Sequence, residues 1–326
     1  MTQLEDCFAL AMDIGGSKAD IGFVSLQGQV LGKIDKHPVP FDEKGIADPD
    51  KIISLMGPYV EQASSKSGKL LGIGLSICGN IDMVTGEAVL VPNLHWRNLP
   101  FGKIVHEQFR LPVYAATDVR MAAQAEAMWG VARQARYFAW CTVGTGYGGY
   151  LFLDGKLYDG LHGFAGNFGH NTWDEVNGYL CGCGRRGCVE TFVAGPAIAR
   201  AGQKAVVEGR SPLLSQMATG EPVKTEMVFK AEAQGDSASH EILNEVVRLI
   251  AINLGGMINI LDLELIVMGG GVVRGRPEFV QRISTEIRKY METVEAQQEL
   301  KLLMESFPNS ALFGAAAEVF IHQGLL

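Results

Sequence analysis

The sequence predicts an α/β protein in which one fold is repeated in two domains. The first half opens with "CFALAMDIGGSKADIGFVSL", which is an apolar strand, a glycine-rich turn and a second strand. The second half opens in the same way, since "YFAWCTV" leads through "GTGYGG" into "YLFLDGKLY". A chain of 326 residues is also longer than most domains that have a single hydrophobic core. These observations favour a duplicated fold with a cleft between its halves over two unrelated α/β domains.

The remaining elements follow from apolar periodicity and from the turns that bound each run. In the first half we expect a strand over 29–39, an amphipathic helix over about 49–66, and buried strands over 70–82 and 113–118. In the second half we expect helices over about 192–208 and 239–261, a strand over 263–273, and helices near 277–293 and 313–323. We predict a smaller domain of residues 1–116 closed by 314–326, and a larger domain of residues 117–313.

Charge and hydropathy exclude several classes of partner. The 28 basic and 36 acidic residues leave a formal charge of −8, so neither nucleic acid nor an anionic membrane is an expected partner. No uninterrupted apolar run reaches the roughly 18 residues of a membrane helix, and "MTQLEDCFALAMDIGG" lacks the features of a signal peptide. We therefore expect a cytoplasmic protein whose cysteines bind metal or stay free.

The glycine-rich turns are candidate phosphate sites. "GGSK" lacks the spacing of a P-loop, and "GTGYGG" does not open a helix as a dinucleotide fingerprint does. Each turn alone is more simply a tight hairpin, but two tips at one cleft favour anion binding by backbone N–H groups. Asp13 suits Mg²⁺ better than phosphate, since like charges repel. The predicted nucleotide-binding residues are Asp13, Gly15, Gly16, Ser17, Lys18, Gly144, Thr145, Gly146, Gly148, Gly269, Gly270 and Gly271, of which the last three face adenine and ribose.

Asp118 is the candidate general base. It follows the buried strand "VYAAT" and precedes the helical segment "VRMAAQAEAM". A helix N-cap is one interpretation, because aspartate fills that position well. The other is a carboxylate at the carboxyl end of a strand, where open α/β sheets bind ligands and where it accepts a proton from an attacking hydroxyl.

Six segments of the sequence, in this order and spacing, resemble the ROK (repressor, open reading frame, kinase) family. They are "MDIGGSKADIGFV", "TDVRMAAQAE", "VGTGYGGYLFLDGKL", "GFAGNFGH", "CGCGRRGCVETFVAG" and "LIVMGGGV". The resemblance as a whole extends from about residue 8 to about residue 320. The resemblance implies the actin-like ATPase duplication, a ribonuclease H-like fold in each half. It also implies an ATP-dependent sugar kinase or a related regulator, and an assembly of two or four copies.

The cysteine motif predicts a zinc site. Cys181, Cys183 and Cys188 supply three thiolates and His170 an imidazole, which is a standard closed tetrahedral set. A redox pair is disfavoured because no CxxC is present, a disulfide conflicts with the cytoplasmic expectation, and a cysteine-rich turn without metal is the remaining alternative. Four protein ligands leave no position for water, so we expect a structural ion that fixes a loop beside the cleft.

The resemblance also implies the sugar contacts. They fall on Asn93, Thr117, Asp118, Asn167, His170 and Glu190. Thr117 stands where the family usually has Asn, and Asn167 where it usually has Glu. An asparagine can donate hydrogen bonds where a carboxylate only accepts them. We therefore expect phosphoryl transfer to be retained and glucose to be a poor substrate.

The sequence as a whole predicts an ATP-dependent kinase that phosphorylates a hexose-like sugar, at O6, with ATP, Mg²⁺ and a structural Zn²⁺. Asp118 acts as the base in this prediction. Two alternatives stay open. One is a transcriptional regulator of the same family, although such regulators carry a helix-turn-helix segment where only about seven residues precede the first hairpin. The other is a sugar-binding protein without turnover.

Overall fold

The computed structural model describes residues 7–326. Residues 1–6 lie outside the described residues; the predicted first domain begins there, and so does the segment that was compared with a signal peptide. The chain divides into two compact units, Met1–Gln134 with Glu305–Leu326, and Ala135–Met304. The strands are β1 (Cys7–Ile14), β2 (Lys18–Ser25), β3 (Asp35–Pro38), β4 (Lys69–Ile77), β5 (Asn80–Asp82), β6 (Glu87–Val91), β7 (Trp96–Leu99), β8 (Val113–Thr117), β9 (Phe138–Val143), β10 (Tyr147–Leu153), β11 (Lys156–Leu157), β12 (Leu265–Gly269) and β13 (Lys301–Met304).

The α-helices of the same residues complete the two units. They are α1 (Pro49–Ala63), α2 (Phe101–Phe109), α3 (Asp118–Met128), α4 (Glu190–Val193), α5 (Gly195–Val207), α6 (Pro212–Ala218), α7 (Thr225–Ala233), α8 (Ser237–Leu261), α9 (Pro277–Ile287), α10 (Val294–Glu299) and α11 (Ser310–His322). Among residues 7–326, none of these helices is long and apolar enough to cross a membrane.

The two main sheets have the same topology. In the first unit the strand order is β3-β2-β1-β4-β8, and in the second it is β11-β10-β9-β12-β13. In both, the first three strands in sequence pair antiparallel, while the fourth and fifth run parallel to the first. The predicted duplication is therefore present in the order and direction of the strands, although the two halves share few residues.

Strand β1 shows why its sequence forms the centre of a covered sheet. Phe8, Leu10 and Met12 point into one hydrophobic cluster, and the alternating Ala9 and Ala11 belong to another. All five side chains are fully buried, as expected for a strand covered on both faces. The alanines are small enough for α11 to pack closely against that face of the sheet.

The long helices begin at side-chain caps. At α1, the Asp48 carboxylate accepts the backbone N–H of Lys51 over 3.1 Å, and a proline occupies the first turn. At α8, Asp236 accepts the N–H of Ser239 over 2.7 Å. These bonds satisfy donors that the first turn of a helix leaves without partners.

The unit boundary differs from the predicted one. Helix α3 and residues 305–313 belong to the first unit, whereas the sequence analysis assigned them to the larger domain. The reason is packing: α3 contributes Met121 and Ala125 to the same buried cluster as Leu312 and other α11 side chains. Glu126 on α3 also accepts the N–H of Ser306 over 2.6 Å.

Several elements differ from those that the sequence predicts. The strand predicted over 70–82 is divided between β4 and β5, while β6, β7, helices α2, α6, α7 and α10, and strand β13 were not predicted. The strand predicted over 29–39 is regular only at Asp35–Pro38, and the helix predicted to residue 293 ends as an α-helix at Ile287. These pieces are short, so their periodicity is weak in the sequence.

Candidate active site

The parallel strands of the first unit end at one edge of the sheet, and polar residues collect there. Asp13 on β1 lies opposite Ser76 on β4, and Ile77 on β4 lies opposite Thr117 on β8. Asp118 follows directly as the first residue of α3. Ligands of open α/β sheets bind beyond the carboxyl ends of the strands, so this edge is where a substrate is expected.

Asp13 is a half-buried carboxyl that shares a hydrogen bond with a buried serine. The Ser76 hydroxyl donates to Asp13 Oδ1 over 2.6 Å. Burial raises the pKa of Asp13 to about 7; the Ser76 hydrogen bond opposes that shift, and the charges of Asp118 and Asp20 add to it. A nearby positive charge, such as a bound cation, would favour the ionised form. Ser76 was missed in the sequence, where its only signal is one hydroxyl within an apolar strand.

Asp118 is held by two hydrogen bonds to the same oxygen. The Thr117 hydroxyl donates to Oδ1 over 3.1 Å, and the Val119 N–H donates to it over 2.9 Å. Burial raises the pKa of Asp118, while these two bonds lower it. The N-cap position belongs to Thr117, whose side chain makes no capping bond, and Asp118 is the first helical residue. Asp118 is therefore not the helix cap that one interpretation of the sequence suggested.

Asn93 and the first glycine hairpin lie against each other in the same unit. Gly15 donates its N–H to the Lys18 carbonyl over 2.9 Å, which closes the tip. A Cβ atom on Gly16 would lie 3.0 Å from Asn93 Cβ, so the absence of a side chain allows this approach. Asn93 also hydrogen-bonds Cys78, whose thiol pKa is raised to about 12 by burial and by the charges of Asp118 and Asp13.

The second glycine hairpin is fixed by Glu190. Gly144 donates its N–H to the Gly146 carbonyl over 2.9 Å across the tip. The Tyr147 N–H donates to Glu190 Oε2 over 2.9 Å, and Cys181 Sγ lies 3.4 Å from Glu190 Oε1. Glu190 thus connects the glycine tip to the cysteine loop within the second unit.

A cavity of about 420 Å³ opens beside this tip. Three predicted nucleotide residues line it, namely Gly144, Thr145 and Gly271. The remaining lining residues, which the sequence analysis missed, are Gly195, Pro196, Ala199, Val223, Lys224, Thr225, Glu226 and Val272. Gly146, Gly148, Gly269 and Gly270 belong to the same two turns or their strands but are not among the lining residues. Of these missed residues, only Gly195 and Pro196, which begin α5, had a recognisable signal in the sequence.

The four predicted metal ligands lie together. His170, Cys181, Cys183 and Cys188 bring their ligand atoms within 4.8 Å of one another. A tetrahedral zinc ion with bonds of about 2.3 Å to sulfur and about 2.0 Å to nitrogen separates two sulfurs by about 3.8 Å and sulfur from nitrogen by about 3.5 Å. Cys183 Sγ lies 3.6 Å from Cys188 Sγ, and Cys181 Sγ lies 3.6 Å from His170 Nδ1. The donor set and its spacing fit zinc.

The loop before the cysteines carries the other two predicted sugar contacts. Asn167 is exposed at the start of the short 3₁₀ turn Phe168–His170, and its Nδ2 donates to the Phe164 carbonyl over 3.1 Å. His170 turns Nδ1 towards Cys181, so Nε2 is the ring nitrogen that the thiol cluster does not use.

The predicted site residues divide between the two units. The first unit holds Asp13, Gly15, Gly16, Ser17, Lys18, Asn93, Thr117 and Asp118. The second unit holds Gly144, Thr145, Gly146, Gly148, Asn167, His170, Cys181, Cys183, Cys188, Glu190, Gly269, Gly270 and Gly271. Each unit therefore carries one glycine hairpin together with its own set of polar residues.

Comparison with known proteins gives relatives of two kinds. The glucokinase of Halalkalibacterium halodurans is 28% identical over 290 residues, which cover 88% of this chain and 87% of that protein. The xylose repressor of Caldicellulosiruptor bescii is 28% identical over 226 residues, which cover 68% of this chain and 56% of the repressor. Both relatives match more than two thirds of this chain, while a large part of the repressor lies outside the match.

A solved structure and a family profile agree with these relatives. The ROK family glucokinase from Streptomyces griseus, in complex with glucose and AMPPNP, superposes with a TM-score of 0.78 at 26% identity, covering 95% of this chain and 98% of that one. The profile of the ROK family matches residues 9–320. The chain therefore belongs to the ROK family, and its two units have the actin-like ATPase fold of that family's kinases.

Proposed function

We propose that the protein is an ATP-dependent sugar kinase. The observation that carries this proposal is the edge of the first sheet, where Asp118 and Asp13 stand beside a glycine hairpin. The second unit adds a hairpin with an adjoining cavity of about 420 Å³. The glucokinase relatives support the same activity, because one of them covers 88% of the chain.

Asp118 would act as the general base on the sugar hydroxyl. Its Oδ1 accepts the bonds from Thr117 and Val119, so Oδ2 is the oxygen offered to the substrate. In the proposed step the hydroxyl oxygen, expected to be O6, forms a bond to the γ-phosphorus, the bond from that phosphorus to the bridging oxygen breaks, and the proton passes to Asp118. ADP leaves with the electron pair. Because the transition state is loose, positioning and charge stabilisation contribute more than the base.

The two hairpins would hold the phosphates and Mg²⁺. Backbone N–H groups at a glycine tip can bind anions, and Ser17, Lys18 and Thr145 are exposed at or beside the tips. Asp13 would hold the cation, directly or through water, since Mg²⁺ prefers one or two carboxylates together with phosphate oxygens. The cavity lined by Gly144, Thr145 and Gly271 is the proposed place of the nucleoside; Gly146, Gly148, Gly269 and Gly270 would shape its turns.

Each unit offers polar groups that suit a sugar hydroxyl. Asn93 is exposed next to the first hairpin, and His170 retains Nε2 for a sugar hydroxyl when Nδ1 binds zinc. A zinc-bound thiolate donates no proton, so Glu190 Oε1 would then be available to the sugar. Asn167 is exposed and polar. Thr117 supports Asp118 rather than reaching outward as a longer amide would.

Zinc would have a structural role in this proposal. It would bind His170, Cys181, Cys183 and Cys188, whose spacing fits a closed tetrahedral site. The ion would fix the loop that presents His170 and Glu190. Phosphorylation of free sugars with ATP is consistent with a cytoplasmic protein that binds neither nucleic acid nor membranes. The family resemblance favours a homo-oligomer.

A coupled assay of ADP release against a panel of sugars tests the proposal. We expect turnover with at least one hexose-like sugar, and a loss on the order of 10²–10⁴-fold in Asp118→Asn with ADP binding unchanged. A kcat near that of the wild type in this variant would exclude Asp118 as the base. Sugar binding without any ADP release would instead support the sugar-binding alternative, which the xylose repressor relative keeps open.

A further inference from the structure

The cavity beside the second glycine hairpin is built from four separate chain segments. They are the tip at Gly144–Thr145, the start of α5 at Gly195–Ala199, the start of α7 with the residues before it at 223–226, and the turn after β12 at Gly271–Val272. None of these segments adjoins another in sequence. The width of the cavity therefore depends on tertiary contacts that connect one wall to the next.

Hydrogen bonds connect three of these walls in series. The Gly195 N–H donates to the Gly144 carbonyl over 2.8 Å, and the Thr225 hydroxyl donates to the Gly195 carbonyl over 2.7 Å. A Cβ atom on Gly195 would lie 3.1 Å from the Gly144 oxygen and 3.3 Å from Thr225 Oγ1, so only glycine fits this junction without displacement. The hairpin, α5 and α7 are thus held at fixed separations.

Arg276 connects the fourth wall to α7. Its Nη1 donates to the Gly271 carbonyl over 3.1 Å and to the Val272 carbonyl over 2.8 Å. Its guanidinium carbon lies 4.3 Å from the centroid of the Phe229 ring, and Phe229 belongs to α7. Arg276 itself does not line the cavity but an adjoining one, which it shares with Phe229.

Arginine suits this position for a physical reason. A planar guanidinium can donate in its plane to two carbonyls while its face stacks on an aromatic ring. A lysine ammonium is a compact charge and cannot make both contacts in one fixed geometry. The Gly271 and Val272 carbonyls belong to residues that line the cavity. The orientation of this turn therefore depends on Arg276 Nη1, which donates to both carbonyls.

We propose that Arg276 is a positioning residue for nucleotide binding, which holds the Gly271–Val272 turn against α7 and so fixes the width of the cavity. The inference rests on the proposed kinase function, because it takes the cavity as the nucleoside site. Arg276 touches no substrate. It acts through the two residues whose carbonyls it binds.

The test compares Arg276→Lys, at the residue that precedes α9, with a matched substitution within α9, Arg282→Lys. The Arg282 guanidinium carbon likewise lies 5.8 Å from the centroid of a phenylalanine ring, that of Phe279. Arg282 pairs with Glu232 and hydrogen-bonds Asn244, and neither of these residues lines the cavity of about 420 Å³. For Arg276→Lys we expect the KM for ATP and the Kd for ADP to rise about tenfold, the loss expected for charge-assisted hydrogen bonds. The KM for sugar and kcat should change less than twofold, and Arg282→Lys should match the wild type in all four constants.

Two further measurements distinguish positioning from a general loss of stability. In Arg276→Ala, millimolar guanidinium should lower the KM for ATP towards the wild-type value, whereas a merely weakened fold would show no such rescue, because guanidinium changes stability only at molar concentration. Phe229→Leu should raise the KM for ATP in the same direction without changing the sugar constants. Failure of either result overturns the positioning role.

The outcome can be separated from that of the kinase proposal. Calorimetry with ADP needs no turnover, so a wild type that binds ADP but phosphorylates no sugar contradicts the kinase and leaves the Arg276 inference intact if Arg276→Lys binds ADP more weakly. An Arg276→Lys protein that binds ADP as the wild type does overturns the inference. A wild type that binds no nucleotide overturns both.

Discussion

Ser76 donates its hydroxyl to Asp13 from the neighbouring parallel strand, over 2.6 Å between Oγ and Oδ1. The two residues lie opposite each other in the register of β1 and β4, so the bond is fixed by the pairing of the sheet. Ser76 is fully buried while Asp13 is half-buried at the edge. The serine therefore orients the carboxyl through Oδ1 and leaves Oδ2 outside this hydrogen bond.

Ser76→Ala should weaken the binding of Mg²⁺ and so raise the Mg²⁺ concentration that the reaction needs. Loss of the hydroxyl removes a bond that favours the ionised form of Asp13, so the pKa of Asp13 rises from about 7 and the carboxyl binds a cation less well at neutral pH. We expect the Mg²⁺ concentration for half-maximal activity to increase severalfold at pH 7. Ser76→Thr keeps the hydroxyl and is the control; equal Mg²⁺ dependence in Ser76→Ala and the wild type would contradict this role.

The pH profile of kcat/KM should report the burial of Asp118. A base works only when ionised, so activity is present above its pKa and is lost as the pH falls through it. Burial raises the pKa of Asp118, so the acid limb should lie above the value of about 3.9 that an exposed aspartate gives. Thr117→Val removes a hydrogen bond that favours the carboxylate and should move the limb to higher pH. Thr117→Ser keeps the hydroxyl and should leave the limb in place; a Thr117→Val profile that matches the wild type would exclude this support.

Protein purified without chelator should contain about one zinc ion per chain, as four ligands at one site imply. Cys183→Ser removes one thiolate, so we expect loss of the metal and a lower Tm by several degrees. Cys78→Ser is the matched control, because Cys78 belongs to the first unit and is not among the clustered ligands. It should retain the zinc. Elemental analysis that finds no zinc in the wild type would refute the site.

The preferred sugar should differ from glucose at one or more ring positions. Thr117 directs its hydroxyl to Asp118, and Asn167 is an amide where the family usually has a carboxylate. A polar contact built for one hydroxyl pattern rejects another strongly, because a mismatch leaves a group unpaired. Asn167→Glu combined with Thr117→Asn should shift kcat/KM towards glucose, with each single variant as a control. A wild type that already phosphorylates glucose as well as its best substrate would show that these residues do not set specificity.

The sequence predicted the parts of the fold that repeat a strong local pattern. The two strand-turn-strand units, the position of Asp118 after a buried strand, and the clustering of the four candidate metal ligands follow from apolar runs and motif spacing. Ser76 was not predicted, because one serine in an apolar strand is common in cores. The Val223–Glu226 wall was not predicted either, since its place beside Gly144 depends on how α5 and α7 pack.

The boundary between the two units likewise depends on tertiary contacts that leave no local pattern in the sequence. Helix α3 begins at Asp118, directly after β8, so the sequence offers no reason to assign it to either side. Besides the apolar packing against α11, a buried ion pair joins α3 to the first unit: Arg120 and Glu318 are 198 residues apart, and their Nη1 and Oε1 atoms lie 2.9 Å apart. Contacts at such separation leave no periodic signal in a single sequence.

The return of the chain to its first unit has a consequence for synthesis on the ribosome. Helix α11 covers Ala9, Ala11 and Met121, yet it is translated after all of the second unit. The second unit is continuous in sequence and can close its core as soon as it leaves the exit tunnel. One face of the first unit's sheet stays uncovered until α11 has been translated, for a time on the order of ten seconds or more at typical translation rates of about 5–20 residues per second. Its nascent alanine face is therefore the surface on which a chaperone would act.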